Sequence, residues 1–156
     1  MIRIGLISDT HGLLRNSVFG AFDEVERILH AGDIGDVAIL DQLALLAPVS
    51  AVYGNTDSAE IRGRVRERLA LEIEGRHVLL THGHELGVPR PAALRAAYPE
   101  ADVIVFGHTH RRLEDRDGAS LVVNPGAAGA ARFRLEPSVA LLELERSSTR
   151  VRFVDL

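Results

Sequence analysis

Side chains that commonly bind metal ions follow five short apolar segments, each at a point where a strand would end. These candidate ligands are Asp9, His11, Asp33, Asn55, His82, His108 and His110. Their imidazole nitrogens and their carboxylate or amide oxygens suit manganese, iron, zinc, nickel or cobalt. A catalytic ion keeps coordination positions open for water and substrate, so these seven residues exceed what one such ion needs. The set therefore predicts two ions about 3.5–4 Å apart that share one carboxylate.

The first part of the chain must position the earlier candidate ligands, and its pattern predicts alternating strands and helices. Apolar runs at residues 2–8, 25–29 and 49–53 predict strands. A short helix is predicted after Asn16, and Asp36 is a good N-cap for a second helix, which Pro48 ends. This β-α-β-α-β order builds a mostly parallel sheet, in which ligands gather at the carboxyl ends of the strands.

The second part of the chain predicts a hairpin, a helix and further strands. Strands at residues 69–74 and 77–81 flank Gly75-Arg76, and Pro91 suits the first turn of a helix through Ala97. Further strands are predicted at residues 103–106, 120–123, 139–144 and 150–154, with the last two forming an antiparallel pair. We therefore expect residues 1–156 to form one α/β domain, in which two sheets pack together and helices lie outside.

The composition of the chain excludes several classes of function. The absence of cysteine excludes disulfides, cysteine zinc sites, iron–sulfur clusters and a cysteine nucleophile. All 18 basic residues are arginine, which excludes Schiff-base chemistry on lysine. The net charge of −4 argues against general affinity for nucleic acids or membrane surfaces. No apolar run approaches membrane-spanning length and no secretory signal is visible, so a cytoplasmic location is expected.

The ordered polar motifs resemble those of the calcineurin-like metallophosphoesterases. The motifs are Asp9-x-His11, Gly32-Asp33, Gly54-Asn55-x-Asp57, His82-Gly83 and Gly107-His108-x-His110. The short chain and its segments 30–33, 81–84 and 124–126 resemble the small bacterial and archaeal phosphodiesterases, a branch related to the metal-poor retromer subunit of eukaryotes. The resemblance spans residues 4–126. It implies a four-layer α/β/β/α sandwich of two mixed sheets, with the site at the carboxyl ends of the strands.

The resemblance also implies a ligand set and a reaction. One ion would take Asp9, His11, Asp33 and His110, and the other would take Asp33, Asn55, His82 and His108, so that Asp33 bridges them. A hydroxide between the metals would attack the phosphorus of small phosphodiesters or activated phosphomonoesters. The implied cofactors are two divalent ions, with Mn²⁺ expected first and Ni²⁺, Co²⁺, Fe²⁺ or Zn²⁺ as alternatives. The residues expected to act in catalysis are Asp33, Asn55, His82 and His84.

Several residues depart from the family pattern or leave their role open. Thr56 stands where many members have a histidine that serves the substrate or leaving group, and a threonine hydroxyl cannot donate a proton near neutral pH. Ala127 stands where a serine commonly follows Asn-Pro-Gly. His30 is either a brace for the site or a buried structural histidine. Arg111 and Arg112 directly follow His110 and are candidates to meet phosphate oxygens.

Two other functions stand beside a small-molecule phosphoesterase. A binding scaffold of the retromer type would have lost its metal site, whereas this chain keeps all seven candidate ligands. A nuclease of this superfamily carries added DNA-binding parts, for which this chain has neither the length nor a basic charge balance. We therefore expect a small-molecule substrate, no membrane partner and no stable nucleic-acid partner. Exposed strand edges leave a homodimer open.

Overall fold

Two five-stranded mixed sheets form the frame of the protein. The computed structural model describes all residues, 1–156. The strands are β1 (Ile2–Ile7), β2 (Arg27–His30), β3 (Val49–Ala51), β4 (Arg68–Ile73), β5 (Arg76–Thr81), β6 (Val103–Val105), β7 (Arg112–Asp115), β8 (Leu121–Pro125), β9 (Ser138–Leu144) and β10 (Thr149–Asp155). The helices are α1 (Ser17–Ala21), α2 (Val37–Leu43), α3 (Ala59–Arg64) and α4 (Pro91–Ala97), with a 3₁₀ helix at His84–Leu86. No helix is both long enough and apolar enough to cross a membrane.

The first sheet has the strand order β10-β9-β1-β2-β3, and the second has the order β4-β5-β6-β8-β7. Strands β1, β2 and β3 are parallel to one another, as are β5, β6 and β8. The predicted closing pair β9 and β10 is antiparallel and extends the first sheet beside β1. Each sheet therefore has a group of parallel strands whose carboxyl ends share one edge.

Apolar burial occurs in three layers, which give the predicted four-layer arrangement. Between the sheets lie buried side chains that include Leu6, Leu29, Leu80, Val105 and Leu142. A second cluster packs helices α1 and α2 on the outer face of the first sheet, and a third packs α4 on the outer face of the second sheet. Each fully buried aliphatic side chain contributes about 1.5–3 kcal/mol. The α/β/β/α sandwich predicted from the resemblance is confirmed.

Strand β1 packs against a different apolar cluster on each of its two faces. Leu6 packs between the sheets, whereas the next residue, Ile7, packs against the helix layer. Gly5 also faces the helix layer, because a Cβ at that position would lie 2.9 Å from the ring of Phe22. The glycine therefore lets α1 approach the sheet closely. Since both faces of β1 are buried, its sequence is a continuous apolar run rather than an alternating one.

The predicted starts of α2 and α4 agree with the structure, whereas α2 ends at Leu43 rather than just before Pro48. Asp36 is the N-cap of α2, and its Oδ1 accepts a hydrogen bond of 2.9 Å from the backbone N–H of Ala38. Pro91 is the first residue of α4, where the missing N–H of proline would have no helical partner anyway.

Two elements were not predicted. Helix α3 buries only one residue, Ile61. It was not predicted because the arginine-rich sequence around Ile61 indicates only a solvated face. Strand β7 likewise has one apolar residue, Leu113.

The expectation that Arg112 meets phosphate oxygens was wrong, because its guanidinium forms an ion pair with Asp155 and lies 5.9 Å from the centre of the Phe153 ring. This side chain joins the edges of the two sheets rather than facing a phosphate.

Candidate metal centre

The seven predicted ligands lie at one end of the sandwich, just beyond the carboxyl ends of five strands. Asp9 and His11 follow β1, Asp33 follows β2, and Asn55 follows β3 in the first sheet. In the second sheet His82 follows β5, and His108 and His110 follow β6. Because these strands run in parallel within each sheet, their ends meet where the two sheets face each other.

The side chains form two groups that could each hold an ion. In the group of Asp9, His11 and His110, the possible ligand atoms all lie within 4.8 Å of one another. The group of Asp33, His82 and His108 meets the same limit. Asn55 belongs beside the second group, since its Oδ1 lies 3.2 Å from Nε2 of His82. The structure therefore brings all seven predicted residues together, in the grouping that the resemblance implies.

The carboxylate of Asp33 lies between the two groups. Its Oδ2 is 3.2 Å from Nε2 of His82 and 3.8 Å from Nε2 of His11. Its Oδ1 accepts a hydrogen bond of 3.0 Å from the backbone N–H of Thr56. Burial by itself raises the pKa of Asp33, but the hydrogen bond and charge of His82, together with Thr56, bring that pKa well below its usual value. The carboxylate is therefore ionised and available to both groups.

Asp9 has one oxygen that is satisfied and one that is not. Its Oδ2 accepts hydrogen bonds from the Ser8 hydroxyl at 2.7 Å and from the backbone N–H of His108 at 3.1 Å. Its Oδ1 is buried and makes no hydrogen bond, although Nε2 of His110 is 3.3 Å away. An unpaired buried acceptor costs about 1–3 kcal/mol, and more when it is charged. A cation beside Oδ1 would remove that cost, so this carboxylate fits a metal.

His82 is oriented by the loop that carries Asp33. Its Nδ1 lies 2.8 Å from the carbonyl oxygen of Ala31, which can only accept, so Nδ1 carries the proton and donates. Nε2 then faces Asp33 and Asn55, and it is the nitrogen that could bind an ion once it carries no proton. Such a backbone partner on the remote nitrogen is typical of metal-binding histidines.

His30 and Thr10 connect the loops after β1 and β2. The fully buried Nε2 of His30 lies 3.0 Å from the Thr10 hydroxyl, which donates at 2.8 Å to the carbonyl of Ile34. On its other side, Nδ1 of His30 accepts from the backbone N–H of Gly32 at 3.2 Å. Burial lowers the pKa of His30 to about 4, so the ring is neutral at physiological pH. Of the two roles left open by the sequence, these contacts favour the brace.

The backbone at the centre is held in an unusual conformation. Positive φ angles occur at Asp9, His11, Asp33, His108 and His110, and range from 45° to 70°. Residues other than glycine seldom adopt this region, and each instance costs on the order of 1–3 kcal/mol. Backbone bonds hold the loops there, with Asp9 N–H donating to Gly32 at 3.0 Å and His11 N–H donating to Asp33 at 2.9 Å. No sequence signal marks this strain, because the residues concerned are chosen for their side chains.

Two glycines allow the loops to approach one another. A Cβ at Gly54 would lie 2.1 Å from Oδ1 of Asp33, and a Cβ at Gly107 would lie 2.0 Å from the Ser8 hydroxyl oxygen. The carboxylate of Asp57 then ties two loops together by accepting from Gly35 N–H at 2.9 Å and Gly54 N–H at 2.8 Å. The glycines and the aspartate of these motifs therefore shape the centre without facing it.

His84 lies beside the second group rather than within it. Its ring centre is 5.5 Å from that of His82 and 6.4 Å from that of His108. Its Nδ1 is buried without a hydrogen bond and lies 4.0 Å from Oε2 of Glu85. Glu85 is fixed through Oε1, which accepts from the Thr81 hydroxyl at 2.9 Å and from the Tyr98 hydroxyl at 2.7 Å. Sequence reasoning missed Glu85, because its partner Tyr98 is distant along the chain.

The chain matches the family model of the calcineurin-like phosphoesterase superfamily domain over residues 2–147. A probable metallophosphoesterase from Methanothermobacter thermautotrophicus is 40% identical over 153 residues, covering 91% of this chain and 86% of that protein. A phosphodiesterase from Methanocaldococcus jannaschii is 28% identical over 166 residues, covering 96% and 97%. A Vps29 variant from Entamoeba histolytica superposes with a TM-score of 0.79, 24% identity and 99% coverage of both chains, a likeness of fold. The chain therefore belongs to the calcineurin-like phosphoesterase superfamily and is a metal-dependent phosphoesterase.

Proposed function

We propose that this protein hydrolyses small phosphodiesters, and activated phosphomonoesters, at a centre that binds two divalent metal ions. Asp9, His11, Asp33 and His110 would hold one ion, and Asp33, Asn55, His82 and His108 would hold the other. The observation that carries this proposal is the position of the Asp33 carboxylate between the two groups, 3.2 Å from Nε2 of His82 and 3.8 Å from Nε2 of His11. A shared carboxylate is what a pair of ions about 3.5–4 Å apart requires.

The donor atoms decide which metals fit. Both groups offer imidazole nitrogen and carboxylate oxygen, the second adds the Asn55 amide oxygen, and neither offers sulfur. This chemistry suits Mn²⁺, Ni²⁺, Co²⁺, Fe²⁺ or Zn²⁺, and the resemblance to the family favours Mn²⁺ among them. When bound, two such ions supply a nucleophilic oxygen at neutral pH and neutralise charge on the reacting phosphoryl group.

Neighbouring residues hold the proposed ligands in the charge state and orientation that metal binding needs. Asp33 keeps its negative charge because His82, and after it the backbone N–H of Thr56, lower its pKa. His82 keeps Nε2 toward the centre because its Nδ1 donates to Ala31. Asp9 keeps Oδ1 free because Ser8 and His108 occupy its Oδ2. Such preorganised ligands need little rearrangement when substrate binds, which favours catalysis.

The departing oxygen of the ester has two neighbours to consider. Thr56 is exposed next to Asn55, and its hydroxyl can donate a hydrogen bond but not a proton near neutral pH. His84 lies next to the rings of His82 and His108, and the Glu85 carboxylate lies 4.0 Å from its Nδ1. We assign His84 as the proton donor to the leaving group.

Phe133 offers an apolar surface for the organic part of a substrate. Its side chain is 75% exposed, and its ring centre lies 5.7 Å from that of His110. An exposed phenylalanine at the border of a polar centre gains free energy when it packs against an aromatic or alkyl group. This position supports organic phosphodiesters with bulky substituents rather than inorganic substrates.

Metal content and turnover together test the proposal. The purified protein is stripped with chelator, reloaded with Mn²⁺, Ni²⁺, Co²⁺, Fe²⁺ or Zn²⁺, and analysed for bound metal and for hydrolysis of bis(p-nitrophenyl) phosphate, cyclic nucleotides and p-nitrophenyl phosphate. We expect two ions per chain and faster hydrolysis of the diester than of the monoester. Loaded protein without activity on any ester would instead support a binding scaffold. Salt-dependent binding and cleavage of oligonucleotides would support a nuclease.

A further inference from the structure

Strand β4 is an outer strand of the second sheet, and one of its sides has no strand beside it. We call residues 68–72 the β4 edge. Arg68, Ala70 and Glu72 are exposed, whereas Leu69 and Leu71 are half-buried against the core between the sheets. An open edge with unpaired backbone groups is a template for pairing with another strand.

The register of the hairpin decides which backbone groups face outward. Strands β4 and β5 are joined by Glu74 and Gly75, whose φ angles of 52° and 72° are those of a type I′ turn. Ile73 and Arg76 are therefore a hydrogen-bonded pair, and bonded and non-bonded pairs alternate from there. Arg68, Ala70 and Glu72 belong to non-bonded pairs, so their N–H and C=O groups point away from β5.

The contacts of His77 support this assignment. His77 is opposite Glu72 in the register. Its N–H donates to Oδ2 of Asp102 at 2.7 Å, and its carbonyl accepts from the N–H of Asp102 at 2.8 Å. Both groups of His77 therefore point to the side of β5 away from β4. In a non-bonded pair the groups of the opposite residue point the other way, which directs those of Glu72 to the open edge.

We propose that the β4 edge is a homodimer interface, in which residues 68–72 pair antiparallel with the same residues of a second copy about a two-fold axis at Ala70. This register uses the outward groups of Arg68, Ala70 and Glu72. It sets Arg68 of each copy opposite Glu72 of the other, so that the dimer gains two pairs of opposite charge on the same face. Leu69 faces Leu71 on the side of the core. A two-fold axis needs such a self-complementary strand.

The open edge of β10 does not have this property. Strand β10 is one of the two outer strands of the first sheet and carries Arg150 and Arg152. Antiparallel self-pairing centred on Val151 sets Arg150 opposite Arg152, and pairing centred on Arg152 sets that residue opposite itself. Like charges directly opposite one another are destabilising. Charge therefore favours self-pairing at β4 and opposes these two registers at β10.

The surface beside the β4 edge is largely apolar. A groove of about 500 Å³ lies between the outer face of β4 and β5 and the end of α4. Its lining includes Ala70, Leu79, Ala97 and Pro99. The pairing of five residues alone buries much less than the roughly 1,600 Å² of a standard interface. A stable dimer therefore needs further contacts from the surfaces beside the two paired strands. About the axis at Ala70, the grooves of the two copies lie on the same face of the joined sheet, one on each side of the new strand pair.

Sedimentation velocity of the full chain, with and without metal, tests the interface. We expect a dimer whose dissociation constant lies below about 100 µM. Ala70→Pro removes an outward N–H and leaves the bonds between β4 and β5 intact, so it should weaken the dimer at least about tenfold. Glu72→Arg should do the same by placing arginine opposite arginine. The double variant Arg68→Glu/Glu72→Arg restores opposite charges and should recover the wild-type affinity within about threefold.

Circular dichroism and thermal unfolding establish that each variant is folded, and the exposed Glu72→Arg change keeps the test available if Ala70→Pro does not fold. A wild-type protein that is monomeric up to about 100 µM would overturn the proposal. So would a dimer that both single variants leave unchanged, since it would use another surface. A dimer that the single variants break and the double variant does not recover would reject the register. Because these residues lie outside the metal centre, failure of the interface leaves the proposed function untouched.

Discussion

Oδ2 of Asp33 lies 3.2 Å from Nε2 of His82, although the two residues belong to different sheets. Asp33 follows β2 in the first sheet, and His82 follows β5 in the second. Burial of the apolar layer between the sheets therefore assembles the centre, because this layer fixes how the sheets face each other. Since the core needs none of the ligands, changes at the centre can be separated from changes to the fold.

Removal of the shared carboxylate should affect both ions. In Asp33→Ala the groups on either side lose a ligand, and we expect the occupancy of both ions to fall. Asn55→Ala removes an oxygen that lies only beside the second group, 3.2 Å from Nε2 of His82, so one ion should be retained. Elemental analysis of metal-loaded protein after dialysis measures both outcomes. At most one ion per wild-type chain under saturating metal would contradict the dinuclear centre.

His82→Ala should separate turnover from folding. The variant loses a ligand and the hydrogen bond to Ala31, so its stability should fall by about 1–3 kcal/mol while the sheets stay intact. Turnover should fall by more than about 100-fold. This exceeds the loss of about 10- to 100-fold that is typical when a residue hydrogen-bonded to a metal ligand, rather than the ligand itself, is removed.

His77→Ala is the matched control for His82→Ala, because His77 is an exposed histidine on β5, the strand that His82 follows. It should keep wild-type turnover. Circular dichroism and a hydrolysis assay with excess Mn²⁺ compare the two variants. Wild-type turnover in His82→Ala would place this residue outside the centre.

The fold and the candidate ligands could be predicted from the sequence for a physical reason. Residues 4–7 of β1 and all of β6 are buried, so they appear as apolar runs, and the polar motifs follow where these runs end. The Thr10 partner of His30 and the anchor formed by Glu85 and Tyr98 could not be predicted. Each joins residues that are distant along the chain and whose types are ordinary in loops. The edge strand β7 was missed because only one of its residues is apolar.

Folding stability should depend on pH through His30. Burial lowers its pKa from 6.5 to about 4, so between these values the unfolded chain binds a proton that the folded protein does not. His30 therefore does not reduce the free energy of unfolding above about pH 6.5. As the pH is lowered from 6.5 toward 4, its contribution reduces the free energy of unfolding by up to about 3 kcal/mol. Urea unfolding of the metal-free protein should show a loss between pH 7 and pH 5 that is about 2 kcal/mol smaller in His30→Asn. Equal losses in the two proteins would show that His30 does not carry this dependence.

Phe133 should contribute to the recognition of bulky esters. Removing its exposed ring in Phe133→Ala should raise KM for diesters with aromatic substituents by about 3- to 10-fold, and should change KM for dimethyl phosphate little. The kcat values should stay near those of the wild type, because the ring contributes binding rather than chemistry. Phe133→Leu keeps an apolar side chain and should lie between the two proteins. An equal change in KM for aromatic and methyl esters would contradict this role.

The dependence of rate on the leaving group should reveal which residue protonates it. Breaking the P–O bond leaves negative charge on the departing oxygen, and a neighbouring acid typically accelerates such a step by about 10²- to 10⁴-fold. Thr56 cannot supply this proton, so the proposed function gives the task to His84, whose ring centre lies 5.5 Å from that of His82. His84→Ala should therefore slow alkyl esters far more than nitrophenyl esters, whose leaving groups need no proton.

Thr56→His introduces an acid beside Asn55 and should help alkyl esters most, in the wild-type background and more strongly in His84→Ala. A plot of log kcat against leaving-group pKa for a series of aryl and alkyl diesters measures both effects. It should be steepest for His84→Ala and flatter once the new histidine is present. Metal content of each variant must stay at the wild-type level, since a lost ion would slow all esters alike. A slope that is shallow in the wild type and unchanged in His84→Ala would mean that another group donates the proton or that a step other than P–O cleavage limits turnover.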